Sequence, residues 1–308
     1  MGYCMEPLAL LNGEFLPQAQ ATLALNDAGF VFGATVTDLC RTFRQQPYLW
    51  AEHLARFRQS CRATHIAVPY SDDDVTRWAM YLAAHNGDLL GPDRELCVVL
   101  FATPGPVGYY LGQPGGVGEQ PPTFGMHTFP LRFARYRHLV AEGAQLVIPG
   151  VRHVPGFCVD RRVKQRSRMH WWLAEVEARR LQPGAQALLL DESGHLTETA
   201  AANLLLVRQG TLLSPPRDRI LEGISLGVVR NLAARLALPL RFEPLTPYDA
   251  LTADEALLTS TPYCLVGVRR LQDVTFPCPG PVTRRLLQAW NEEVGLDIHR
   301  QILGEPGA

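Results

Sequence analysis

Ala187-Leu188-Leu189-Leu190, the turn Asp191-Glu192-Ser193-Gly194, then Leu196-Thr197-Glu198-Thr199, Ala200-Ala201-Ala202 and Asn203-Leu204-Leu205-Leu206-Val207 form one continuous stretch. It reads as short apolar strands folded back on each other by turn residues. Gln209-Gly210 turns again, Thr211 to Leu213 completes a meander, and Pro215-Pro216 breaks it. One residue is out of character. Glu198 opens a returning strand and is followed by three alanines, so backbone there can approach a flat ring closely. Its plain reading is a solvated hairpin carboxylate. Its chemical reading is an anion set beside a heterocyclic nitrogen.

Downstream, Leu221-Glu222-Gly223-Ile224-Ser225 opens a helix over Ser225 to Leu236, with Val228, Val229, Leu232 and Leu236 facing inward. A glycine turn feeding a helix start presents unpaired N–H groups and the positive end of the helix dipole to an anion. Ser260-Thr261 follows a short strand at Ala256 to Leu258 and adds hydroxyl and amide donors. Upstream, a strand is expected at Gln145 to Ile148 and a helix at Ser167 to Arg180.

Between those two lies Lys164, the only lysine in a chain with 29 lysines and arginines together. Arginine replaces lysine in most surface roles. It does not replace lysine as a deprotonated amine that attacks a carbonyl to make a Schiff base. A single retained lysine therefore points to imine chemistry, and pyridoxal phosphate (PLP) is the commonest cofactor of that kind. Drift in an arginine-preferring host is the plain alternative.

The first half reads as a hairpin at Leu8 to Leu11, Asn12-Gly13 as turn, and a second strand over Glu14 to Leu25. A helix covers Glu52 to Ala63, a second follows the N-cap Ser71, and Leu96 to Ala102 is a buried strand. Residues 104–122 are a Gly/Pro-rich loop, and the last helix spans about Val282 to Val294, with a frayed tail over 304–308. Arg56, on the helix after His53, is a candidate charge partner for a phosphate.

A hydrophobic content of 47% with 19% charged residues describes an ordinary globular protein. A net charge of −1 and arginines interleaved with acids argue against nucleic acid as a partner. No apolar stretch reaches the roughly 18 residues a bilayer span needs, and Met1 to Pro7 lacks the make-up of a signal peptide. Seven scattered cysteines with no CxxC read as free thiols in a reducing cytoplasm, with no metal site.

Together these residues resemble the class IV (fold-type IV) PLP-dependent aminotransferases. That group includes branched-chain and D-amino-acid aminotransferases, (R)-selective amine aminotransferases and aminodeoxychorismate lyases. The resemblance is carried by Asn26-Asp27-Ala28-Gly29-Phe30-Val31-Phe32-Gly33, Asp38, Arg41 and His53-Leu54-Ala55-Arg56-Phe57. It continues through Glu198 with Asn203 to Val207, then Gly223-Ile224-Ser225 and Ser260-Thr261-Pro262. It implies an α/β (α+β) protein of two domains with the cofactor in the interdomain cleft. The expected division is a smaller N-terminal domain over 1–130, an interdomain segment at 131–150, and a larger domain with a barrel-like sheet over 151–308. It implies that Lys164 is the catalytic amine, carrying the cofactor as a Schiff base and later moving a proton. Glu198 pairs the ring nitrogen, Leu221 packs on the ring, and Arg56, Ile224, Ser225 and Thr261 hold the phosphate. It further implies a homodimer and transfer of an amino group between an amino acid or amine and a 2-keto acid. The rival reading of the same residues is 4-amino-4-deoxychorismate lyase.

On the substrate side the chain departs from the familiar subfamilies. Branched-chain enzymes carry a Tyr-x-Arg where this chain has Leu96-Cys97-Val98, and Thr37 stands where phenylalanine or tyrosine is common. Phe32 and Thr37 are the expected pocket walls. The partner of a substrate carboxylate is left open among Arg132, Arg135, Arg137, Arg166 and Arg168, each read first as a surface or ion-pair residue.

Overall fold

A computed structural model describes residues 6–304 of the chain. Cys4 and the tail expected to fray beyond Gly304 lie outside those residues. The chain divides into two compact units, residues 1–131 with 163–167, and residues 132–162 with 168–308.

In the first unit, strands β1 (Leu8–Leu11) and β2 (Glu14–Pro17) form the expected hairpin. Asn12 and Gly13 both take positive φ, 51° and 90°, as a type I′ turn requires. The second strand stops at Pro17 instead of running to Leu25. Its partner ends there, because Leu8, the first residue of β1, faces Pro17. After the one-turn helix α1 (Ala28–Val31) come β3 (Val36–Phe43), β4 (Gln46–Pro47), α2 (Trp50–Ala63), α3 (Asp72–Leu90), β5 (Leu96–Thr103) and β6 (Thr123–Pro130). Ser71 caps α3 as expected, accepting from Asp74 N. The six strands lie in the order β2-β1-β6-β5-β3-β4, every neighbouring pair antiparallel.

A strand sends alternate side chains to opposite faces. Leu96, Val98, Leu100 and Ala102 of β5, with Phe124 and Met126 of β6, meet Leu54, Phe57 and Cys61 of α2 and Val75, Ala79 and Leu82 of α3. Burying each large side chain of this kind stabilises the unit by roughly 1.5–3 kcal/mol. The opposite face of β3 carries Thr37 and Arg41.

In the second unit the elements are α4 (Arg137–Glu142), β7 (Ala144–Val147), α5 (Met169–Leu181), β8 (Gln186–Leu190), β9 (Leu196–Thr199), β10 (Asn203–Arg208), β11 (Thr211–Ser214), α6 (Ile224–Arg235), β12 (Leu240–Phe242), α7 (Pro247–Leu251), β13 (Glu255–Ser260), β14 (Cys264–Leu271), β15 (Val274–Thr275), α8 (Pro281–Val294) and α9 (Ile298–Gly304). The sheet runs β12-β11-β10-β13-β14-β7-β8-β9, with β15 on β14, and β9 also pairs with β10. That last pairing closes β10-β13-β14-β7-β8-β9 into a ring. The closing bridge is the pair Glu198 and Asn203.

Two placements differ from the expected division. The sequence suggests a connecting segment over 131–150, yet 132–150 belong with the second unit. The cause is β7, which pairs in parallel with both β14 and β8. Residues 163–167, bearing Lys164, belong with the first unit.

Candidate active site

Lys164 is fixed through its backbone. The strip 163–167 lies alongside the start of β3, with Gln165 bridged to Val36 in antiparallel register. Thr37 N–H donates to Lys164 O at 2.9 Å, and Arg166 N–H donates to Thr35 O at 2.9 Å. From the other direction, Lys164 N–H donates to Ser60 Oγ of α2 at 3.1 Å. Val163 is buried in the core beneath, and Ser167 Oγ donates to Gly33 O. The lysine side chain leaves this anchored strip half-buried.

Arg56 and His53 stand on the buried face of α2 and converge on Asp38 of β3. Arg56 donates from Nε to Oδ2 and from Nη2 to Oδ1, and His53 Nδ1 lies 2.7 Å from Oδ1. Burial alone would raise the Asp38 pKa. The charges and hydrogen bonds of Arg56 and His53 outweigh it and hold the carboxyl well below the usual carboxylate range. Burial lowers the His53 pKa, and the nearby positive charges of Arg56 and Lys164 lower it further against the pull of Asp38. His53 is therefore a neutral imidazole at neutral pH. Of the expected pocket walls, Phe32 is 47% exposed, and Thr37 is buried with its hydroxyl donating to Leu100 O at 2.7 Å.

The second unit brings Glu198, Leu221, Ile224 and Ser225 together through Asn203. Glu198 is buried on the strand pair that closes the ring. Asn203 Nδ2 donates to Glu198 Oε2 at 2.9 Å and to Leu221 O at 2.9 Å, while Leu221 N–H donates to Glu198 Oε1 at 3.1 Å. His153 Nε2 lies 3.7 Å from the same Oε1. One amide thus ties the carboxylate to the segment that leads into α6. That helix starts at Gly223, and no side chain caps it. Its first N–H groups, those of Ile224 and Ser225 among them, have no partner within the helix. A Cβ at Gly223 would sit 2.1 Å from Asn203 Oδ1, so only glycine allows this close approach. Thr261 is half-buried and follows β13, whose Thr259 faces Asn203 and whose Ser260 Oγ donates to Ala201 O.

These features fit a phosphorylated pyridine. An uncapped twelve-residue helix start suits a phosphate, and a buried carboxylate with two donors already oriented on it suits a ring nitrogen that carries a proton. Among the described residues no cluster of His, Cys, Asp and Glu suits a metal ion, and no helix is long and apolar enough to cross a membrane.

Several contributors carry no role in a sequence reading. Asp38 and Asn203 stand inside the quoted motifs, but their partners are 18 residues away at Arg56 and 18 away at Leu221. Ser60 and His153 have no sequence signal at all, since each becomes relevant only through a register between distant segments.

Strand ring, uncapped helix and lysine strip define a fold-type IV enzyme of the PLP class. The family model described as Amino-transferase class IV matches residues 35–271, a span that includes Arg56, Lys164, Glu198, Leu221, Ile224, Ser225 and Thr261. The chain belongs to the class IV aminotransferase family. It is therefore an aminotransferase, and the cofactor of that family is PLP. A Methanocaldococcus jannaschii protein, provisionally named as a branched-chain-amino-acid aminotransferase, is 26% identical over 92% of this chain and 94% of its own length. The D-alanine aminotransferase of Listeria monocytogenes is 25% identical over 92% of this chain and 95% of its own. Among solved structures, the Escherichia coli branched-chain amino acid aminotransferase superposes with a TM-score of 0.84 at 21% identity, covering 93% of this chain and 94% of that one. The T.th. branched-chain amino acid aminotransferase, complexed with N-(5'-phosphopyridoxyl)-L-glutamate, superposes with a TM-score of 0.81 at 23% identity, covering 94% of each chain. At those identities the superpositions speak for the fold.

Proposed function

We propose that Lys164 is the catalytic amine of a ping-pong transamination and that Glu198, Leu221, Ile224, Ser225, Thr261 and Arg56 hold the cofactor. The observation that carries this reading is the Glu198–Asn203–Leu221 network leading into an uncapped helix start. When bound, the PLP ring supplies an electron sink for the bond that breaks at the substrate's α-carbon.

Each residue has a task of its own. Lys164 Nζ is a primary amine whose backbone is pinned by Thr37 and Ser60, so it returns to one position after each proton it moves. Glu198 would pair with the ring nitrogen of a bound cofactor, and Asn203 keeps that carboxylate from rotating. The N–H groups at Ile224 and Ser225 and the Thr261 side chain would hold the phosphate. Arg56, held edge-on by Asp38, adds positive charge from the α2 side. Leu221 would pack on the ring face. Phe32 and Thr37 line the substrate pocket. The relatives' names include enzymes for branched-chain amino acids and for D-alanine, so the donor is an amino acid and the acceptor a 2-keto acid. We further infer a cytoplasmic homodimer, a reading supported by six free cysteines among the described residues and by family membership.

Borohydride reduction of PLP-saturated protein, followed by peptide mass mapping, tests the assignment. A pyridoxyl mass on the peptide holding Lys164, with an absorbance change on adding an amino donor, is the expected result. An unmodified Lys164 peptide in saturated protein would overturn it. Light scattering checks the dimer, which a monomer mass would exclude.

A further inference from the structure

Among the described residues, Arg166 is a guanidinium without an anion. Arg56 grips Asp38, Arg58 grips Asp72, Arg77 grips Asp74 and Arg161 grips Glu192. Arg166 has no such carboxylate within that set. Its one side-chain hydrogen bond there runs from Nη2 to Thr37 Oγ1 at 3.3 Å. Thr37 donates its own proton to Leu100 O, so its lone pair is what faces the arginine. The hydroxyl therefore fixes one edge of the guanidinium and leaves most of its five donors unused.

Position gives this cation a task. Residues 164–166 run antiparallel to the start of β3, with Gln165 opposite Val36, and the chain bends at Arg166. The Arg166 guanidinium reaches Thr37 Oγ1, and Thr37 lies opposite Lys164 in this register, so the cation is brought to the side of the strip that bears the lysine. Burial lowers the Arg166 pKa from its ordinary value although part of the side chain meets solvent, the direction expected of a cation with no anion to compensate it. His127 of β6 feels the same charge. Burial first, then Arg166, lowers its pKa, so it adds no second cation.

We propose that Arg166 receives the substrate carboxylate, with Thr37 as its positioning residue, so that the enzyme favours 2-amino and 2-keto acids over simple amines of matching shape. An amino acid carries its nitrogen and its carboxylate on one carbon. A cation beside the reacting amine meets that second group, and a planar guanidinium takes both of its oxygens. A simple amine offers it nothing. The inference rests on Lys164 being the reacting amine.

The test compares half-reactions of the PLP-loaded protein with alanine, leucine and glutamate of both hands and with matched amines lacking the carboxylate. Wild type is expected to favour its best amino acid over the matched amine by about 30-fold or more in kcat/KM. Arg166→Gln is expected to erase that preference through KM, leaving the amine reaction and the borohydride adduct on Lys164 unchanged. Arg166→Lys should restore part of it. If Arg166→Gln does not fold, Thr37→Val should lower the preference in the same direction by a smaller factor. No preference in wild type, a preference surviving Arg166→Gln, or equal losses for amine and amino acid would each overturn the proposal. Failure of the Lys164 adduct in wild type would instead overturn the functional reading beneath it.

Discussion

Arg56 meets Asp38 edge to edge, with Nε on Oδ2 and Nη2 on Oδ1 at 2.8 Å each, and solvent does not reach the carboxylate. A buried pair of this kind is costly to break, because the surviving partner keeps its charge and loses its compensation. Asp38→Asn is therefore expected to cost about 3–5 kcal/mol at neutral pH. The pH dependence follows from direction. The Asp38 pKa is depressed in the folded state relative to the unfolded value of about 3.9. Its contribution is fully present above that unfolded value and is lost as pH falls towards the folded one. Urea unfolding of wild type and Asp38→Asn should show a gap that is constant near neutrality and narrows on acidification below about pH 4. A gap that widened on acidification would contradict the assignment.

Gly223 has a narrower role. A methyl there would meet Asn203 Oδ1 at 2.1 Å, and Asn203 is what links Glu198 to Leu221. Its φ of −63° is open to any residue, so backbone strain is not the obstacle. Gly223→Ala should push Asn203 aside at a cost of about 1–3 kcal/mol. Because the same shift disturbs the helix start, PLP affinity should fall by more than the stability loss would suggest. Fluorescence titration of the apoprotein with PLP, beside thermal unfolding without it, separates the two effects.

The motif residues were legible because their chemistry is local. A lone lysine, a glycine before a helix and a glutamate before three alanines are visible without a fold. Helices α2, α3, α6 and α8 were legible from apolar periodicity. Strand β3 was not, since its buried set includes Asp38, Arg41 and Thr42, whose partners come from elsewhere in the chain. Strand β6 hides behind the Gly/Pro-rich loop that precedes it, and β14 carries Arg269 and Arg270 at its half-buried end. Pairing registers are the general blind spot. The bridge Gln165–Val36 positions the lysine strip in the first unit and Glu198–Asn203 closes the strand ring in the second, and neither leaves a trace in composition or spacing.

Glu255 offers a test of the second unit that does not involve chemistry. Its buried carboxylate accepts from Val282 N at 2.8 Å, Thr283 N at 3.1 Å and Thr283 Oγ1 at 2.9 Å, capping the start of α8 from β13. Glu255→Ala strips three donors of their acceptor at once. A loss of about 3 kcal/mol or more is expected. Since α8 carries none of the proposed cofactor residues, the Lys164 adduct and the half-reaction rate at low temperature should be retained. Calorimetric unfolding beside a borohydride-labelling assay checks both halves of this expectation.

Glu198→Gln isolates charge from shape. The amide keeps one oxygen, which Leu221 N–H can still use, but it turns a donor towards Asn203 Nδ2, itself a donor. That clash costs about 1–3 kcal/mol and leaves the fold in place. On the proposed assignment the larger effect falls on catalysis, because the neutral amide would no longer set a negative charge against the ring nitrogen. Turnover should drop by about 100-fold or more, the scale seen when one preorganised electrostatic partner is removed. Labelling of Lys164 by borohydride should persist, since the lysine strip hangs on Thr37 and Ser60 and not on Glu198. Single-turnover rates and labelling yields on one preparation decide the matter. A variant that keeps wild-type turnover would remove Glu198 from the chemistry, while one that loses the adduct as well would make it a structural residue.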